Sequence, residues 1–134
     1  MSIKELIPMF QTETLATLYM VGVSTLISYL IGIPLGVILI VTEDGGLYPI
    51  KPVHAVLGFL TNIFRTIPFL ILLVMVLPIT KFLVHTTLGP NAIIPPLVFA
   101  AAPYIARMVE SSLKEVDAGV IEAARSMGAN RLQI

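Results

Sequence analysis

"TLATLYMVGVSTLISYLIGIPLGVILIVT", Thr14 to Thr42, carries no charged residue. About 20 helical residues, each rising about 1.5 Å, cross the hydrocarbon core of a bilayer. This run is longer, so a helix built on it tilts or protrudes. The rest of the chain agrees with a membrane setting. Of 134 residues, 57% are hydrophobic and 12% charged, with a mean hydropathy of +0.96. An ordinary soluble domain carries about 25% charged residues, and a chain this short has limited interior in which to hide so much apolar surface. The expectation is an all-α polytopic membrane protein.

Inside the run lies "GIPLG", with Gly32 and Gly36 four apart and Pro34 between them. Small residues at this spacing let another helix approach closely. A proline bend with two incidental glycines explains the same letters, since both residues are common in membrane helices.

Working outward, "TEDGGLYPIKP" is a polar loop with turn chemistry at Asp44-Gly45-Gly46. In "VHAVLGFLTNIFR", Val56, Leu57, Leu60, Ile63 and Phe64 recur at helical spacing, with His54, Thr61, Asn62 and Arg65 elsewhere. That pattern suits a helix at the membrane interface or entering it obliquely. A second span is expected over roughly 66–84, with Pro68 in its first turn, where a missing N–H costs little. An arginine at mid-bilayer costs about 2.5–3.5 kcal/mol. Arg65 is therefore read as a membrane-edge residue snorkelling to the headgroups, with a role facing the interior of an assembly as the alternative. A third span is expected over roughly 92–109, "AIIPPLVFAAAPYIARMV". Pro95 and Pro96 suit its start, and Pro103 should kink it by removing a backbone bond. Ala100, Ala101 and Ala102 form a small-residue face that packs tightly or lines a path.

Charge sets the orientation. Lys4 and Lys81 fall on one side of three spans; Lys51, Arg65, Arg107, Lys114, Arg125 and Arg131 fall on the other. The positive-inside tendency then puts the start of the chain outside and its end in the cytoplasm. Lys4, Glu5 and Glu13 precede an apolar run too long for a signal-peptide core. Net charge is zero, which offers nucleic acid no bulk attraction. There is no cysteine and no Gly-x4-Gly-Lys-Ser/Thr loop, so any ATP would be bound by another chain. His54 and His85 lie far apart and read as interfacial residues, not as metal ligands. No catalytic site is expected.

The polar stretch "VESSLKEVDAGVIEAARSMGANRLQI", Val109 to Ile134, has an internal grammar. Asp117 fits a helix N-cap. Val120, Ile121, Ala124 and Met127 share a helical face. Gly128 fits a left-handed C-cap. Asn130 and Gln133 fit the two ends of a reciprocal capping box for a second short helix. Two short helices joined by a tight turn make a docking shape. From Arg107 to Arg131 four basic residues face four acidic ones, which argues against a DNA-binding helix–turn–helix.

"EAARSMGA", Glu122 to Ala129, resembles the EAA loop of ABC-importer permeases: Glu122, Ala123, Ala124, three residues, then Gly128. "NIFRTIPFLILLVMVLPIT" and "AAPYIARMVESSLKEVDAGVIEAARSMGA" are similar to the methionine-importer branch of that family. The resemblance implies a homodimeric permease in a bacterial cytoplasmic membrane. It also implies two ATPase subunits that hold ATP and Mg2+, and an extracytoplasmic substrate-binding lipoprotein. In such a permease the EAA helix sits in a cleft of the ATPase, a role carried here to Glu122, Ala123, Ala124 and Gly128. Family members have five spans. The expectation is a single transmembrane domain over 1–134 that breaks off within its coupling loop, roughly 110–134. A permease for another polar amino acid, or a membrane-anchored interaction protein, are the alternatives.

Overall fold

The computed structural model describes residues 2–134. Among them are six helices: α1 (Ile3–Thr42), α2 (Lys51–Thr66), α3 (Phe69–Met75), α4 (Leu77–Val84), α5 (Pro90–Lys114) and α6 (Ala118–Ser126). Only α1 and α5 are by themselves long and apolar enough to cross a bilayer.

Helix α1 begins well before the charge-free run. The Glu5 carboxylate accepts from the Ser2 backbone N–H at 3.1 Å and so satisfies a donor at the helix start. Its 40 residues extend about 60 Å, twice the thickness of the hydrocarbon core. The helix continues through Pro34. Its buried residues include Ser24, Ser28, Gly32 and Gly36, four apart each time, followed by Leu39. Helix α5 answers with Ala102, Ala106 and Glu110 at the same spacing. Residues four apart share one helix face, so two narrow stripes of mostly small side chains meet.

This contact decides between the two readings of "GIPLG". A methyl group on Gly32 would lie 2.7 Å from Ile105 Cγ2, and one on Gly36 would lie 2.6 Å from the Ala106 carbonyl oxygen. Both glycines are there because α5 leaves no room for anything larger. The two helices run parallel. Tyr19 donates its hydroxyl proton to Asn91 Oδ1 at 2.6 Å, Gly32 and Gly36 meet Ala102–Val109, and Glu43 meets Lys114. Each step along α1 is matched by a step along α5.

The span expected over roughly 66–84 is broken into short helices. Helix α2 stops at Thr66, Ile67 is extended (φ −74°, ψ 126°), and α2 and α3 are bent by 114°. The cause is local: the residue before a proline is pushed out of the helical region, and Pro68 can neither donate nor accommodate a preceding turn. Pro68 is therefore the cap of α3, one place earlier than the first-turn position assigned from sequence. A second break at Val76 (φ −93°, ψ 4°) separates α3 from α4, whose first turn holds Pro78.

Helix α2, expected at the interface or entering it obliquely, packs antiparallel along α5. Phe64 meets Phe99 with ring centroids 5.8 Å apart, and Gly58 and Asn62 meet Arg107. A third crossing exists when the bent pair α2–α3 is counted as one broken span. Helix α5 outruns its expected limits at both ends and continues through Pro103, which is buried. Ala102 is buried against Gly32, while Ala100 and Ala101 are half-buried. This alanine face serves tight packing.

Candidate functional site

Helix α5 ends at Lys114, and Glu115–Asp117 link it to α6. Asp117 takes the extended cap conformation (φ −62°, ψ 134°), and its Oδ1 accepts from the Gly119 N–H at 2.9 Å. The other end closes on Gly128, whose φ is +87°. The Gly128 N–H donates to the Arg125 carbonyl at 3.0 Å and the Ala129 N–H to the Ala124 carbonyl at 3.1 Å. These are the paired bonds of a Schellman C-cap, which needs a left-handed residue and hence favours glycine. Both caps were legible as letters because a cap is a local arrangement. Replacing Asp117 with alanine is expected to destabilise α6 by about 0.5–2 kcal/mol. Hydrogen exchange should then quicken over Gly119–Ile121, with α1 and α5 unchanged.

Beyond Gly128 the reciprocal cap also forms. The Asn130 N–H donates to Gln133 Oε1 and the Gln133 N–H to Asn130 Oδ1, both at 2.8 Å. A single turn follows over Arg131–Gln133, as at the start of the expected second helix, and the Ile134 N–H donates to the Asn130 carbonyl at 3.2 Å. The Arg131 guanidinium sits 4.4 Å from the centre of the Tyr48 ring. This cation–π contact ties the turn to the α1–α2 loop.

Glu122, Ala123, Ala124 and Gly128 thus fall on one exposed helix and its cap. Glu122 and Ala123 are exposed and Ala124 is half-buried. The predicted apolar face is split. Ile121 is half-buried with Ala124, whereas Val120 is 61% and Met127 89% exposed. Arg65, Pro68 and Pro103 do not join this segment. Arg65 lies over the Tyr104 ring at 6.0 Å, Pro68 stands at the 114° bend, and Pro103 is in the packed interior.

A cluster that the sequence did not reveal lies directly behind the segment. The Glu110 side chain, 6% exposed, receives Arg107 Nη1 on one oxygen at 2.7 Å and Lys114 Nζ on the other at 3.1 Å. Lys114 also reaches Glu43 at the end of α1, at 3.3 Å. Arg107 Nη2 donates to the Gly58 carbonyl at 3.1 Å and to Asn62 Oδ1 at 2.9 Å. The spacing of Arg107, Glu110 and Lys114 is a readable helical signal. The partners on α1 and α2 are not, because they come from elsewhere in the chain. On the same side, His54 Nδ1 lies 2.9 Å from the Leu39 carbonyl oxygen.

Residues 32–134 match the family described as binding-protein-dependent transport system inner membrane component. The chain belongs to that family. This inner membrane component is 48% identical over 123 residues to a probable D-methionine transport system permease protein of Vibrio cholerae, covering 92% of this chain and 55% of the relative. It is 56% identical over 92 residues to a methionine import system permease protein of Bacillus subtilis, covering 69% and 41%. An inward-facing methionine ABC transporter structure superimposes with a TM-score of 0.94 at 42% identity, covering 100% of this chain and 62% of that one. The inner membrane component spans about half the length of the curated relatives it matches.

Proposed function

We propose that this chain is the permease part of an ATP-driven importer of an amino acid, methionine, and that α6 with its Gly128 turn is its ATPase-docking element. The observation that carries the reading is α6 itself. It is a short, doubly capped helix, attached by a three-residue link to a membrane helix and burying none of its own residues. A helix capped at both ends and left uncovered is suited to being gripped as a rigid body, which is how a conformational change passes between subunits. Alanines at 123 and 124 keep its surface low enough to enter a groove.

In this reading the chain hydrolyses nothing. Two ATPase subunits bind ATP and Mg2+, a second permease copy completes the membrane assembly, and a substrate-binding lipoprotein delivers the solute from outside. In this reading the start of α1 lies outside and α6 lies in the cytosol, since Lys51, Arg107, Lys114, Arg125 and Arg131 then fall on the cytosolic side against Lys4 and Lys81 outside. Arg65 lies near the end of α2, within the bent α2–α3 pair, with its charge against Tyr104. The supports are the family match, the methionine permeases among the relatives, and the methionine transporter among the structural neighbours.

The test is reconstitution of the full-length permease with its ATPase and binding protein in liposomes. Methionine should enter only with ATP inside the compartment that holds the ATPase, and unlabelled methionine should compete better than other amino acids. Uptake of a different polar amino acid would correct the solute. Failure of the ATPase to co-purify would remove the coupling role.

A further inference from the structure

We infer that Arg107 is a positioning residue. It fixes α2 to the cytosolic end of α5, so that movement of α6 is delivered to the bent second crossing. The inference rests on the functional reading above. Arg107 has three partners on two helices: Glu110 on its own, and the Gly58 carbonyl and Asn62 on α2. Glu110 passes the linkage to Lys114, and Lys114 to Glu43 at the end of α1. Lys114 is the last residue of α5, and Asp117 opens α6. At its other end α2 runs into the 114° bend before α3. The cluster therefore joins the base of the docking helix to the helix that ends in the break, and nothing assigned from sequence lies between them.

The composition of the cluster suits transmission. Two cations and two carboxylates close on one another, so no net charge is left at the membrane edge. Each Glu110 oxygen has its own cation, which holds the carboxylate against rotation. The planar guanidinium meets a carboxylate, a carbonyl and an amide oxygen at once, a fork that a lysine ammonium cannot reproduce. Surface ion pairs are too loosely held to transmit motion, and Lys114, 50% exposed, makes its pairs at the surface, but Arg107 is 21% and Glu110 6% exposed at the side chain, so the tie between α2 and α5 is the firm one. Linked groups of this kind carry coupling when they move as one body.

The test uses the full-length permease with its ATPase in liposomes, reading hydrolysis and uptake side by side. Arg107→Lys is expected to leave ATP hydrolysis within about twofold of wild type and to lower methionine uptake by about tenfold, within the range of a typical coupling between sites. The double variant Arg107→Gln with Glu110→Gln leaves no unpaired charge on those two residues, so a merely structural role predicts recovery. Positioning predicts that uptake per ATP stays low while protein yield recovers. A proportional fall of both activities in Arg107→Lys, or recovery of the ratio in the double variant, overturns the inference. A wild-type complex that hydrolyses ATP and moves no amino acid refutes the functional reading instead. Arg107 is then judged by hydrogen exchange in the assembled complex: α2 amides from Leu57 to Ile63 should exchange about tenfold faster in Arg107→Lys, and equal rates overturn the inference.

Discussion

Gly128→Val in the full-length permease is expected to reduce ATP-driven uptake by about tenfold while the protein still inserts and packs. A methyl group added at Gly128 meets nothing within 4 Å, so the loss is not steric. It comes from the backbone: φ is +87°, and holding a β-branched residue there costs about 1–3 kcal/mol. The Schellman bonds from Gly128 and Ala129 back to Arg125 and Ala124 then compete with an unstrained alternative. The turn reopens, and Arg131 leaves its place over the Tyr48 ring. Gly128→Asn is the control, because asparagine tolerates the left-handed region; it should keep most of the uptake. Uptake measured in liposomes with the ATPase present decides the matter. A valine variant as active as wild type would mean that coupling does not need the left-handed turn.

The second large effect falls in the membrane. Gly36→Leu should destabilise the chain by at least about 2 kcal/mol, within the range for overfilling a packed contact or above it. The first added carbon would already lie 2.6 Å from the Ala106 carbonyl oxygen and 2.7 Å from Val109 Cβ. The carbonyl belongs to backbone and cannot rotate aside, so α1 and α5 must separate. Separation forfeits the close contacts that hold helices together in lipid, where no hydrophobic drive brings them back. Gly22→Leu is the matched control, since nothing lies within 4 Å of that position. Thermal unfolding of the detergent-solubilised full-length protein should show a lower midpoint for Gly36→Leu and little change for Gly22→Leu. Equal midpoints would return "GIPLG" to the proline-bend reading.

Legibility varied along the chain for physical reasons. Asp117, Gly128 and the Asn130–Gln133 pair were readable because each cap closes within a few residues. The two long helices were readable because a long, mostly apolar run has few ways to exist in lipid other than as a helix. Pro68 was visible as a helix-start signal but not as a 114° turn: a proline says that a helix stops, not where the chain goes next. The place of helix α2 stayed open because its amphipathic pattern suits a membrane surface and a packed protein surface equally.

By itself, the sequence determined that this chain is helical, that it lives in a membrane, where α6 begins and ends, and which motif α6 displays. Those properties depend on hydropathy and on short-range bonds, which travel with the letters. Only the tertiary structure decided that Gly32 and Gly36 exist for α5, that α1 and α5 run parallel in step, that the second crossing is broken, and that Arg107 reaches α2. Each of these depends on which surfaces meet across tens of residues. A local pattern permits many such meetings, and packing selects one.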